Sequence, residues 1–239
     1  MNKVVITIDG GAGTGTSSLS KRISALLGIE WLSSGDLYRA LTWGCLENGV
    51  SFDPGQLSAD EGLPPELTRA CAELARDFAP HIKDGTVVSV CGRQVDEQML
   101  RNMSPYVPHI AKLPLVRAEI VKLQHQFAKY RPAAIIEGRN VGVDVFPEAL
   151  RKIFLKCNPT EALRRRAEHD HAIAIEDVAG RDQLDRTRAV AQLRPAPDAI
   201  VYDTTDTLTE QLAKNVILSL KDVPVAREFI ASYLVRLTA

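Results

Sequence analysis

The sequence has no long apolar run. No stretch approaches the roughly 20 consecutive apolar residues that span a bilayer. Neither sign of charge is in excess: 29 Lys and Arg against 30 Asp and Glu leave a net charge of -1. Bulk attraction to nucleic acid or to an anionic membrane is therefore not expected. Cysteine is scarce. Cys45, Cys71, Cys91 and Cys157 are isolated, with no C-x-x-C pair, so neither a zinc site nor a disulfide framework is suggested. Reduced thiols in a cytoplasmic protein are the expectation. The N-terminal segment carries no signal-peptide pattern, because Val4–Ile8 is too short for an h-region and runs straight into a polar loop. There is no internal repeat and no low-complexity segment. What is present is 45% apolar residues over 239 positions, enough for one large domain or a core carrying smaller inserts.

Apolar runs read as strands at Val4–Ile8, Glu30–Leu32, Ala133–Ile136, Ile153–Leu155 and Ala199–Tyr202, with helical patterns between them. This alternation predicts an α/β fold, a five-stranded parallel sheet with helices on both faces. Ligands of such sheets bind at the carboxyl ends of the strands. The residues found there are polar or cationic: Ser33-Ser34-Gly35-Asp36-Leu37-Tyr38-Arg39, then Glu137-Gly138-Arg139-Asn140, then Asn158-Pro159, then Asp203-Thr204-Thr205. Asn158 reads as a helix N-cap with Pro159 in the first turn.

The first strand leads into Asp9-Gly10-Gly11-Ala12-Gly13-Thr14-Gly15-Thr16-Ser17-Ser18, and an amphipathic helix follows with Leu19, Ile23, Leu26 and Leu27 on one face and Gly28 as its C-cap. A phosphate-binding Walker A loop reads G-x-x-x-x-G-K-[ST]. Gly10 and Gly15 fit, and Ser17 fits the hydroxyl that meets Mg²⁺. Thr16 stands where the pattern has lysine. Backbone N–H groups and the helix dipole still serve phosphate binding, whereas the mobile positive charge at the β- and γ-phosphates is missing. The bland alternative is an ordinary glycine-rich strand–helix turn.

Two stretches read as insertions. Residues from about Ser51 to Gln126 carry Pro64-Pro65, a helical stretch, a hairpin-like unit from Thr86 to Val95 and a helix pair around Pro114. Residues Leu163 to Arg188 are rich in Arg, Asp and His. They read either as a solvated helix face or as a lid bringing arginines over a nucleotide. Arg39, Arg117, Arg139, Arg181, Arg186 and Arg188 form a dispersed cationic set suited to bidentate phosphate recognition, though each alone is more often a surface charge. From Asp222 a last helix with Pro224 at its start, and with Val225, Phe229 and Leu237 as apolar positions, either packs on the body or makes an oligomer contact.

These pieces together resemble the bacterial cytidylate kinases, P-loop nucleoside monophosphate kinases that phosphorylate CMP and dCMP from ATP. The resemblance runs from about Val4 to Leu220. It rests on Ile8-Asp9-Gly10-Gly11-Ala12-Gly13, Ser34-Gly35-Asp36-Leu37-Tyr38-Arg39, Pro114-Leu115-Val116-Arg117, Glu137-Gly138-Arg139-Asn140, Val145-Phe146-Pro147-Glu148-Ala149 and Asp185-Arg186-Thr187-Arg188-Ala189-Val190-Ala191. It implies a core domain from residues 1–50, 130–162 and 189–221, an acceptor-binding insert at 51–129, a helical lid at 163–188 and a C-terminal helical extension at 222–239. It implies ATP as phosphoryl donor with Mg²⁺, held by the loop residues Gly10 to Ser18 with Ser17 on the metal. Ser34, Arg39, Arg117, Arg139, Asn140, Asp185 and Arg188 match positions that hold the acceptor nucleotide. Arg39 and Arg139 resemble phosphate grips, Asp185 a partner of the sugar hydroxyl, and Arg181 a lid position near the phosphates. Thr16, Arg139, Arg181 and Arg188 fall at the catalytic positions. The expected partner is a small nucleotide, and the expected state is a monomer, with a dimer through the C-terminal helix as the alternative.

The departures from the family are expected to gather in the same cleft. The family has lysine at 16, aspartate at 33, Asp-Gly-Arg-Asp at 137–140, and a base-reading serine that aligns with Pro108. Thr16, Ser33 and Glu137 alter the ATP and Mg²⁺ end, while Asn140 and Pro108 alter the end that reads the base. Three functions stay open on this reading. One is an active kinase on a pyrimidine nucleoside monophosphate, with Lys156 or Arg181 replacing the missing charge rather than Lys21, which lies farther along the helix. The second is a nucleotide-binding protein of weak or no kinase activity. The third is a divergent nucleotide transferase or hydrolase.

Overall fold

The structure, a computed structural model, describes residues 4–57, 62–169, 193–207, 209–227, 230, 231, 233 and 235. It divides into two compact units, one of residues 1–32 and 127–239 and the other of residues 33–126.

The first unit is built on strands β1 (Val4–Gly10), β2 (Glu30–Ser33), β6 (Ala133–Gly138), β7 (Arg151–Lys156) and β8 (Ile200–Asp203), in the order β2-β6-β1-β7-β8. β1 lies at the centre and runs parallel to both β6 and β7, and β7 runs parallel to β8. All five strands fall where the apolar runs predict them; β1, β6 and β7 are covered on both faces and so read as near-continuous hydrophobic stretches. β1 and β6 reach further than their apolar runs, through Asp9-Gly10 and Glu137-Gly138. Asp9 pairs with Gly138 and Gly10 with Leu155, so the sheet carries polar residues to its carboxyl edge.

Side chains alternate across β1. Val4, Ile6 and Ile8 enter a core shared with Ile135, Ile153 and Leu155 of the neighbouring strands. Helix α1 (Thr16–Leu27) contributes Leu19, Ile23 and Leu27 to that core, and α8 (Thr209–Leu218) contributes Leu212, Val216 and Ile217. Thr7 and Asp9 point to the opposite face and are also buried. Helix α7 (Pro159–His169) follows β7. Its start is the predicted one: Asn158 Oδ1 accepts from the Thr160 N–H at 2.9 Å. Gly28 ends α1 with φ 68°, the left-handed conformation of a glycine C-cap. After a 3₁₀ turn at Pro224–Ala226, Ala226, Ile230 and Tyr233 join the same core. This packing on the body is one of the two uses read for the tail; Phe229 and Leu237 lie outside the described residues.

The second unit holds helices α2 (Ser34–Glu47), α3 (Pro65–Arg76), α4 (Glu97–Asn102), α5 (Val107–Ala111) and most of α6 (Pro114–Lys129). It also holds an antiparallel sheet of β3 (Pro80–Lys83), β4 (Thr86–Val90) and β5 (Arg93–Gln94). The predicted hairpin is β4 with β5. The additional strand β3 was not legible, because it opens on proline and only Ile82 interrupts its polar residues.

Candidate active site

The loop from Gly10 to Ser18 joins the central strand to α1. Thr14 closes it: its N–H and its hydroxyl both donate to the Gly11 carbonyl, at 3.4 and 2.8 Å. Gly13 has φ 73°, and a Cβ there would lie 2.2 Å from the Ala162 carbonyl oxygen of α7, so only glycine fits. Gly15 occupies the N-cap in a left-handed conformation and supplies no side-chain cap. No acidic residue stands in the first turn of α1. The helix therefore presents its N–H groups and its positive dipole end with no acidic residue of its own first turn to offset them, which suits phosphate. Thr16 folds back on the loop, its Cγ2 3.1 Å from where a Cβ on Gly10 would sit.

Beside the loop, Ser17 Oγ donates to Glu137 Oε1 at 3.2 Å. Glu137 is buried at the end of β6 while Ser17 is exposed. A hydroxyl and a carboxylate oxygen next to a phosphate cradle fit Mg²⁺, which binds through one or two protein oxygens together with phosphate oxygens and water. Among the described residues no group of three or more His, Cys, Asp and Glu side chains is placed to hold a metal.

Asp9 is the residue that sequence reasoning missed. Its two carboxylate oxygens accept from the Val141 and Gly142 N–H groups, each at 2.7 Å. Those groups open a π-helical turn, Val141–Val145, directly after Arg139 and Asn140. Burial pushes the Asp9 carboxyl up to about 7, opposed by the two N–H donors and reinforced by the charges of Glu137 and Asp144. Asn140 is buried and its amide donates to Asp144 Oδ2. The signal available in the sequence was a carboxylate at the end of an otherwise apolar run, immediately before the first loop glycine.

The other side of the loop is braced by Thr204, at the tip of β8. Its buried hydroxyl donates to the Thr14 carbonyl at 3.0 Å and to the Lys156 carbonyl at 3.1 Å. Arg165 of α7 donates through Nη2 to the carbonyls of Thr204 and Thr205, at 2.7 and 2.8 Å, and through Nε to Glu161. Lys156 is exposed at the end of β7, where its charge helps to lower the Asp203 carboxyl, after the hydrogen bonds that carboxyl accepts from Thr205. Lys21 is exposed along α1.

Of the remaining expected positions, Arg139 is half-buried at the tip of β6 in the first unit. Ser34, Arg39 and Arg117 belong to the second unit. Ser33 caps α2, its Oγ accepting from the Asp36 N–H at 3.2 Å, so serine fills the capping role that aspartate also fills. Ser34 Oγ accepts from the buried Gln124 Nε2 at 2.7 Å. Pro108 lies in the first turn of α5. Arg181, Asp185, Arg186 and Arg188 lie outside the described residues.

The cytidylate kinase family model matches residues 6–222. This chain belongs to the cytidylate kinase family. A curated cytidylate kinase of Mycolicibacterium paratuberculosis is 35% identical over 95% of this chain and 98% of its own length. That of Geobacillus kaustophilus is 34% identical over 90% and 95%. A solved structure from Thermus thermophilus matches with a TM-score of 0.50 at 18% identity, covering 92% of this chain and all of that one, which speaks to the fold. The chain is accordingly an ATP-dependent phosphotransferase of the nucleoside monophosphate kinase type. Among the described residues no helix is long and apolar enough to cross a membrane.

Proposed function

We propose that this member of the family transfers the γ-phosphoryl group of ATP to a pyrimidine nucleoside monophosphate of the CMP or dCMP type, in the cytoplasm and as a monomer. The observation that carries the reading is the Ser17–Glu137 contact beside an intact phosphate cradle. The cradle's N–H groups hold the donor phosphates, and Ser17 and Glu137 hold Mg²⁺, which when bound neutralises charge on the β- and γ-phosphates. Residues 51–129 serve as the acceptor-binding insert and 163–188 as the lid. Ser34, Arg39, Arg117, Arg139, Asn140, Asp185 and Arg188 orient the acceptor so that its phosphate oxygen attacks in line. No general base is needed, because that oxygen is already anionic. Catalysis then comes from positioning and from charge stabilisation by the arginines, with Arg181 and Arg188 arriving as the lid closes and excludes water.

Thr16 supports a second reading, a nucleotide-binding protein of low turnover. Removing one pre-oriented electrostatic contact of this kind costs about 10²–10³ in rate, roughly 3–4 kcal/mol. A threonine hydroxyl donates a neutral hydrogen bond in its place.

A coupled assay of ATP consumption against CMP, dCMP, UMP and dTMP separates the two. The kinase reading expects turnover with CMP or dCMP and little ATP hydrolysis without an acceptor. Nucleotide binding by calorimetry with no turnover on any of the four would replace it with the binding reading. Phosphate release without a phosphorylated acceptor would point instead to a hydrolase.

A further inference from the structure

The first turn of α2 places a carboxylate against Arg39. Asp36 lies three residues before it on the same helix face. Arg39 Nε donates to Asp36 Oδ1 at 3.1 Å, and Nη2 donates to the same oxygen. The two side chains are only 23% and 12% exposed, so solvent and salt screen this pair less than a surface pair. The guanidinium also lies across Gly35, where a Cβ would sit 3.4 Å from Nη2 and 3.6 Å from Nη1. Ser33 fixes the aspartate's backbone through the N-cap bond, independently of the Asp36 side chain.

We infer that Asp36 is a specificity-determining residue: an internal carboxylate that occupies the edge of Arg39 an acceptor phosphate would take. This inference rests on the reading of Arg39 as an acceptor-phosphate grip. The Nε–Nη2 edge is one of those through which arginine binds a phosphate with two parallel hydrogen bonds. Here both donors converge on a single Asp36 oxygen. An incoming phosphate either displaces the carboxylate or shares the guanidinium with it at like-charge distance. The penalty grows with the charge of the incoming group, so it is larger for a dianionic phosphate than for a monoanion. Asp36 thus holds acceptor affinity down and ties it to the ionisation of the acceptor.

The test uses the full chain with CMP as acceptor and ATP as donor. Asp36→Asn, Asp36→Ser, Arg39→Ala and the double variant D36N/R39A are compared by steady-state kinetics and by calorimetric CMP binding. The expected result is a CMP KM and Kd lowered about three- to tenfold in both Asp36 variants, with the ATP KM unchanged. The effect of D36N should vanish in the Arg39→Ala background. The gain should also be larger at pH 7.5, where CMP is dianionic, than at pH 5.5. A CMP KM and Kd that rise or stay level in both Asp36 variants overturn the inference, since the carboxylate then orients Arg39 rather than competing for it. If Arg39→Ala leaves CMP binding unchanged, the reading of Arg39 falls and takes the inference with it. If Arg39→Ala weakens CMP and the Asp36 variants do not tighten it, the inference alone falls.

Discussion

Ser17 Oγ donates to Glu137 Oε1 at 3.2 Å, tying the first turn of α1 to the tip of the neighbouring strand β6. The carboxylate is buried beside the glycine-rich loop, where a divalent cation, once bound, would offset the cost of keeping its charge. Glu137→Gln keeps the size and the acceptor of the serine bond and removes the charge. On the kinase reading kcat should fall about 10²–10³-fold, with a higher Mg²⁺ concentration needed for half-maximal rate. Titration of rate against Mg²⁺ for both proteins checks this. An unaltered Mg²⁺ dependence would count against Glu137 as a metal partner.

Thr16 stands at the start of α1 with its methyl group turned onto Gly10. The loop around it keeps its left-handed glycines at 13 and 15 and opens onto the start of α1, so what Thr16 lacks beside lysine is the charge. On the low-turnover reading Thr16→Lys should raise kcat about 10²-fold while leaving the acceptor KM unchanged, because the new cation acts on the donor phosphates. Initial-rate measurements with varied ATP and CMP decide it. No gain would mean that another cation already supplies this charge in the closed state.

How much of this was legible follows from where each residue finds its partners. The strands at Val4–Ile8 and Ala133–Ile136 were readable because both faces are buried. The loop and the Asn158 cap were readable because glycine spacing and N-cap chemistry act within a few residues. The partners of Asp9, Thr204 and Ser34 lie 132, 190 and 90 positions away, and no local pattern announces them. Asp36 is a different case: its spacing from Arg39 is that of a helical ion pair, but spacing alone does not say which edge of the guanidinium the carboxylate covers. The cost of Thr16 was legible in kind, since a Walker A loop without lysine is visible at sight.

Asp9 makes stability depend on pH. Burial raises its carboxyl from an ordinary value of 3.8 to about 7. Between those values the folded protein holds a proton that the unfolded chain has lost. Stability contributed by this group is therefore complete below about pH 4 and is lost as pH rises through 7. Asp9→Asn removes the titration and keeps the size. The stability of the natural protein relative to the variant should be greater at about pH 5 than at about pH 8, falling by about 1.4 kcal/mol per pH unit until Asp9 ionises in the folded state. Urea unfolding of both proteins at the two pH values measures it. A constant difference would mean that the two N–H donors keep Asp9 ionised throughout.

Thr204 braces the loop from the side of β8. Its hydroxyl shares one hydrogen between the carbonyls of Thr14 and Lys156. The Lys156 carbonyl also accepts from the Thr204 N–H at 2.8 Å, so it keeps a partner when the hydroxyl is removed. Thr204→Val is close in shape, and the lost hydroxyl falls chiefly on the Thr14 carbonyl. The cost should be about 1–3 kcal/mol of stability. Because Thr14 sits inside the phosphate loop, the ATP KM should rise several-fold while the acceptor KM holds. Thr204→Ser restores the hydroxyl and loses only a methyl group, so it should recover the ATP KM without fully recovering stability. If the serine and valine variants bind ATP alike, the brace acts through packing of the methyl group, and the Thr204–Thr14 hydrogen bond is not what sets the loop.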